Sequence, residues 1–313
     1  MDARRAFLSE LIDDAGLFPP ALLPMDAATA FHTRSREGPH GWMMGRFICP
    51  ATALRDLLKV LPGDPARPWR VSVLLDAAGT EPWLERIIGD LLGARGFAEE
   101  AAGAATVELV ETRLPPEPAV SEIRRFVGAV EDAGLPGPVT PYLEVPPDAV
   151  EDGVAAVAEI REETPGEGAC RPPGAKIRCG GATEDLLPSP RRVATFVDAC
   201  RRNGVPFKAT AGLHHPFRHR DPATGFMQHG FVNLFGAAIL AAVHDLDAPA
   251  LEEILSDRDP SAFALEPGRF AWRDMEAAPA QVADARSALC TAYGSCSFDE
   301  PLEDLLALGV LPA

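Results

Sequence analysis

Short runs rich in Val, Ile and Leu alternate along the chain with longer segments whose apolar residues recur at helical spacing. The runs WRVSVLLDA (69–77), TVELVET (106–112), VTPYLEV (139–145), GAKIRCGG (174–181) and PFKATAG (206–212) predict β-strands. Between and after them, EPWLERIIGDLLGARG, VSEIRRFVGAVEDAG, AVEDGVAAVAEIREE, SPRRVATFVDACRRNG and GFVNLFGAAILAAVHD predict amphipathic or buried helices. Several of these end in Gly, and Asp or Ser often opens them, as helix capping requires.

The spacing of these units is regular. One residue near the end of each strand, Asp76, Glu111, Glu144, Lys176 and Lys208, recurs at intervals of 35, 33, 32 and 32. Going backward, Phe47 in GRFICP precedes Asp76 by 29 residues, and Phe18 in AGLFPP precedes Phe47 by 29. An eighth strand is expected in SAFALEPG (261–268), delayed by the insertion HHPFRHRDPATGFMQHG. Eight strand–helix units predict an α/β fold, a single (β/α)8 (TIM) barrel spanning 1–313, with GSCSFDEPLEDLLALGVL as a C-terminal helical extension. An open doubly wound sheet would carry a glycine-rich phosphate loop after its first strand, and neither GxGxxG nor GxxxxGK[ST] is present.

Composition narrows the partners. The formal net charge of −17 disfavours nucleic acid and anionic membrane surfaces. No apolar run approaches the roughly 20 residues of a membrane span, and the opening MDARRAFLSELIDDAG is amphipathic and acidic, so a cytoplasmic protein is expected. Six cysteines without a CxxC pair fit reduced thiols better than a zinc ribbon or a disulfide scaffold.

Candidate chemistry lies at the strand ends, where a barrel collects its reactive groups. Five consecutive strands end in ionisable residues, and alternation puts Lys176 with Arg178, Lys208 with Thr210, and Tyr142 with Glu144 on shared faces. Helices cover the outside of a barrel, so these faces are expected to point inward. Lys176 and Lys208 would then stand on adjacent strands about 4.8 Å apart, where like charge and burial favour a neutral amine. Such an amine attacks carbonyl groups to form an imine, and Glu144 is positioned to move the protons. Arg46 and Arg178 are candidate clamps for an anionic small-molecule substrate, with His214 and His215 as further substrate contacts. Asp13 and Asp14 are assigned to the segment before the first strand, and Cys179 reads as a packed thiol.

AKIRCGG and FKATAG resemble the sixth and seventh strands of class I aldolases of the deoxyribose-phosphate aldolase type, and YLEV is loosely similar to their fifth. The resemblance implies a (β/α)8 lyase without a cofactor, with Lys176 as the imine-forming residue and Lys208 as its neighbour that lowers its pKa. Where that family has approximately Lys-Thr-Ser-Thr-Gly, this chain has Ile177 and Arg178 after the lysine. His214 and His215 replace the glycine-rich phosphate-binding stretch.

Two other readings fit the same residues. A divalent ion such as zinc, manganese or magnesium could be held by Asp76, Glu111, Glu144, His214, His215 and His219 for lyase, isomerase or hydrolase chemistry. Alternatively, the charges form a structural ionic layer in a barrel that binds a metabolite without catalysis.

Overall fold

Eight parallel strands close into a barrel: β1 (Ile12–Asp14), β2 (Met44–Pro50), β3 (Trp69–Leu74), β4 (Ala105–Arg113), β5 (Thr140–Glu144), β6 (Gly174–Arg178), β7 (Phe207–Thr210) and β8 (Cys290–Ser295), with β8 pairing back to β1. The computed structural model describes residues 2–63, 67–75, 83–117, 119–181 and 183–312. Among these, eleven α-helices are present: α1 (Ala3–Leu8), α2 (Met25–Glu37), α3 (Leu54–Val60), α4 (Trp83–Glu100), α5 (Val120–Ala133), α6 (Val150–Glu163), α7 (Pro190–Arg202), α8 (Phe231–His244), α9 (Ala248–Ser256), α10 (Pro279–Ala288) and α11 (Asp299–Ala307). The TIM barrel and its C-terminal helix expected from the sequence are both present. None of the described helices is long and apolar enough to cross a membrane.

Local chemistry sets the helix boundaries. Ser189 caps α7 by accepting the Arg192 N–H, with Pro190 at the first helical position, and Asp247 caps α9 in the same way. α5 stops at Gly134, whose left-handed backbone turns the chain toward β5. α8 is apolar nearly all round and buried from Phe231 to Ala241, packed between the barrel and further covering elements. Its one deeply polar residue, Asn233, is satisfied on both sides: it accepts from the Arg218 N–H and donates to the carbonyls of Ile254 and Asp257.

Two strands differ from the sequence expectation. The first is Ile12–Asp14, before AGLFPP, so Asp13 and Asp14 belong to the barrel itself. The segment around SAFALEPG forms a strand, Phe263–Glu266, but in a separate antiparallel sheet with Arg269–Trp272 and Met275–Ala277. The true eighth strand is CTAYGS, whose small residues give no strong strand signal.

Closure depends on Arg286 of α10. Its buried guanidinium donates to the carbonyls of Phe7, Ser9, Cys290 and Thr291, tying α1 to the start of β8. At the other end of the barrel, β6 and β7 run into a close approach of Gly180 and Gly212, where a Cβ on Gly180 would lie 2.6 Å from the Gly212 Cα.

Candidate active site

Inside the barrel the strand registers assemble a layer of charge. Lys176 and Lys208 are direct register partners on β6 and β7. Their ammonium groups share one carboxylate: Lys176 Nζ lies 2.8 Å from Glu111 Oε2, and Lys208 Nζ donates to Glu111 Oε1 at 2.6 Å. Ser72 of β3 also donates to Oε1 at 2.6 Å. Across β8, Lys208 donates to Asp13 Oδ2 at 2.6 Å, while Asp13 Oδ1 accepts the backbone N–H of Arg46. All four charged groups are buried, Lys208 to 1% exposure and Asp13 to 0%. The Tyr142 ring lies 5.8 Å from Lys208 Nζ and its hydroxyl bonds Thr291.

The layer opens toward the C-terminal ends of the strands. Glu144 Oε2 stands 3.4 Å from Lys176 Nζ, and Glu144 Oε1 accepts from Arg113 Nε at 3.3 Å and Arg178 Nε at 3.4 Å. Exposure rises along this path: the side chains of Lys176 and Glu144 are 6% and 9% accessible, those of Arg178 and Arg113 38% and 54%. Lys176 therefore joins the sealed interior to a cationic rim.

Electrostatics follow from these contacts. Burial works against the charge of Glu111, but Lys176 and Lys208 outweigh it and hold the carboxyl well below the ordinary range. Glu144 is lowered in the same way, with Lys176, Arg178 and Arg113 overcoming desolvation. For Lys208, burial favours the neutral amine, yet Asp13 and Glu111 prevail and raise its pKa. The sequence expectation of mutual depression thus fails at Lys208, because it counted the neighbouring lysine and omitted Asp13.

Other candidates lie elsewhere. Arg46, expected as an anion clamp, sits near the start of β2, pairs with Glu108 at 3.0 Å and reaches Asp13 Oδ1 at 3.8 Å, on the side of the charge layer away from Glu144. It lines a cavity of about 400 Å³ at the N-terminal end of the strands, together with Glu108, Pro138, Thr140 and Arg171. Lys176 does not line that cavity, and strand-end chemistry in barrels belongs to the opposite face.

The histidines do not join Glu111 and Glu144. His214 Nδ1 lies 2.8 Å from Glu300, His215 Nδ1 lies 2.6 Å from Asp304, and His219 Nδ1 bonds the Phe217 carbonyl at 3.0 Å. Asp76 falls outside the described residues. Among those described, no three His, Cys, Asp or Glu side chains are gathered to hold a metal ion. The proposed donor set is dispersed because α11 supplies its own carboxylates to the loop after β7.

Sequence reasoning missed Asp13, Ser72 and Arg113. Arg113 was within reach, since it lies two residues beyond Glu111 on the same strand face. No protein-family model matches the chain, and no curated protein matches it.

Proposed function

We propose that the C-terminal mouth is an active site in which Lys176 forms an imine with a small anionic carbonyl substrate, in the manner of a class I aldolase-like lyase. One observation carries this reading: Lys176 alone of the two lysines contacts both the buried carboxylate Glu111 and the rim carboxylate Glu144. Lys208 is instead sealed between Asp13 and Glu111 and held charged, so its role is to fix Glu111. The Lys176 ammonium first gives a proton to Glu144 Oε2; the freed nitrogen attacks the carbonyl carbon, water leaves with that proton, and the iminium accepts the electron pair released when the adjacent carbon–carbon bond breaks. Glu144 carries the protons, and Arg178 with Arg113 binds the substrate carboxylate or phosphate through their planar forks.

Borohydride reduction in the presence of a panel of small aldehydes and 2-keto acids tests the proposal. The expected result is a reduced adduct on the peptide carrying Lys176, absent in K176M of unchanged circular dichroism. No adduct with any member of the panel, or an adduct confined to Lys208, would count against it. In that event the charges are a structural layer, and K176M, which leaves Glu111 and Glu144 short of a countercharge, should act on stability instead, at a cost of about 3–5 kcal/mol.

A further inference from the structure

At the end of the barrel opposite Glu144, two guanidinium groups line a common space with unbonded donors. The cavity of about 400 Å³ there is walled by Arg46 of β2, Glu108 and Leu109 of β4, Pro138 just before β5, Thr140 of β5 and Arg171 just before β6. Its volume suits a small organic molecule.

The acids around it are already engaged. Glu108 accepts from Arg46 Nε at 3.0 Å through Oε2 and from Arg70 Nε at 2.8 Å through Oε1. Asp13 Oδ1 takes the backbone N–H of Arg46 at 2.7 Å and lies 3.8 Å from its Nη1, while Oδ2 holds Lys208. Glu131 of α5 accepts the backbone N–H groups of Ala169 and Cys170 with its two oxygens. That leaves the Nη groups of Arg46, the whole Arg171 guanidinium and the Thr140 hydroxyl without a hydrogen-bond partner among the described residues. Neither arginine is free in solvent: the Arg46 side chain is 18% exposed and Arg171 is part-buried. Arg171 is also held in place, since its N–H donates to the Val139 carbonyl at 2.8 Å and the Val139 N–H donates to the Ala169 carbonyl at 2.8 Å.

Part-buried donors left unmet are costly, and a planar guanidinium fork matches a carboxylate or a phosphate. The remaining wall is apolar, with Val107 and Leu109 buried beside Pro138, so an inorganic ion would fill only part of the space. The geometry points to a binding site for a small organic anion: its carboxylate or phosphate is taken by Arg171, with Arg46 Nη and Thr140 Oγ1 as further donors, and its apolar body lies against Leu109 and Pro138. The site is separate from the proposed imine chemistry, whose arginines, Arg113 and Arg178, flank Glu144 at the other end of the strands.

Isothermal titration calorimetry of the full chain with benzoate and with phenyl phosphate tests the assignment, with benzyl alcohol as the neutral control. Saturable binding of at least one anion is expected, weakened roughly 10–100-fold in R171M. R171K, which keeps the charge and loses the fork, should fall between R171M and wild type. The Arg171-dependent binding should persist in R113M/R178M, and the tighter of the two anions tells carboxylate from phosphate. In the wild-type chain the bound anion should shield the Arg171 peptide from phenylglyoxal, a readout that requires no variant to fold. No saturable binding of either anion up to ~10 mM, equal affinity for benzyl alcohol, affinity unchanged in folded R171M, or no shielding of Arg171 would overturn the site.

Discussion

Asp13 and Lys208 form a 2.6 Å ion pair between β1 and β7, strands that never touch because β8 lies between them. The pair spans the place where the barrel closes. Removing one partner leaves the other charge buried and uncompensated, which typically costs about 3–5 kcal/mol. D13N and K208M are therefore expected to lower stability by that amount in urea unfolding. The double variant D13N/K208M should lose less than the sum of the two, since neither charge is then stranded.

Acid should weaken the fold in two stages. His229 is lowered to about 4, chiefly by burial and further by Arg218, against the opposing hydrogen bond to the Pro188 carbonyl. The unfolded chain takes up this proton near pH 6.5 and the folded chain does not, so stability falls as pH drops from about 6.5 to about 4, by on the order of 3 kcal/mol in all. His32, also lowered by burial, adds to the same slope. Below that window Glu111 and Glu144, both held under their ordinary range, must protonate, and the stabilisation they supply above it is lost. H229Q should flatten the pH dependence of the urea midpoint between pH 6.5 and 4.5 without abolishing it.

Alkali acts through Lys208. Its raised pKa means that its contribution is fully present below the ordinary lysine value and fades only as pH climbs through the higher folded value. A K208M variant should accordingly show less alkaline destabilisation than the wild type above pH ~10.5.

Six of the eight barrel strands, β2 to β7, were legible because short, largely apolar runs recur at a regular interval, although β7 (FKAT) holds no Val, Ile or Leu at all. β1 was not, since two of its three residues are aspartates that continue an amphipathic pattern, and their burial makes sense only once Lys208 and His32 face them. β8 was hidden because its small residues resemble a loop, while FALE nearby has better strand propensity and spends it in a local antiparallel sheet. The side of each lysine was legible from alternation, whereas the raised pKa of Lys208 was not: that depends on contacts from β1 and β4 that no local window contains. The pairing of the histidines with α11 was equally out of reach, because it joins residues more than 80 positions apart.

The Gly180–Gly212 contact gives a packing test at the mouth. A Cβ on Gly180 meets backbone atoms of Gly212, which cannot rotate away as a side chain would. G180A should cost about 1–3 kcal/mol and displace the loops after β6 and β7. Thermal unfolding measures the first effect. The second should appear as faster amide hydrogen exchange in the loop after β7.

The guanidinium of Arg286 offers a further check. R286K keeps a charge but cannot serve four carbonyls with a planar fork, so its loss should approach that of R286A, about 3 kcal/mol or more in urea unfolding.

The insertion between β7 and β8 has a consequence for the order of assembly during synthesis. β1 leaves the ribosome before any other barrel strand, yet the strand that joins it to β7 ends at Ser295. Until then Asp13 and Lys208 belong to two sheet edges with exposed hydrogen-bonding groups, a state prone to pairing with other chains. A nascent chain arrested before β8 should therefore be bound by chaperones, and release to the folded form should come in one late step when the last strand arrives.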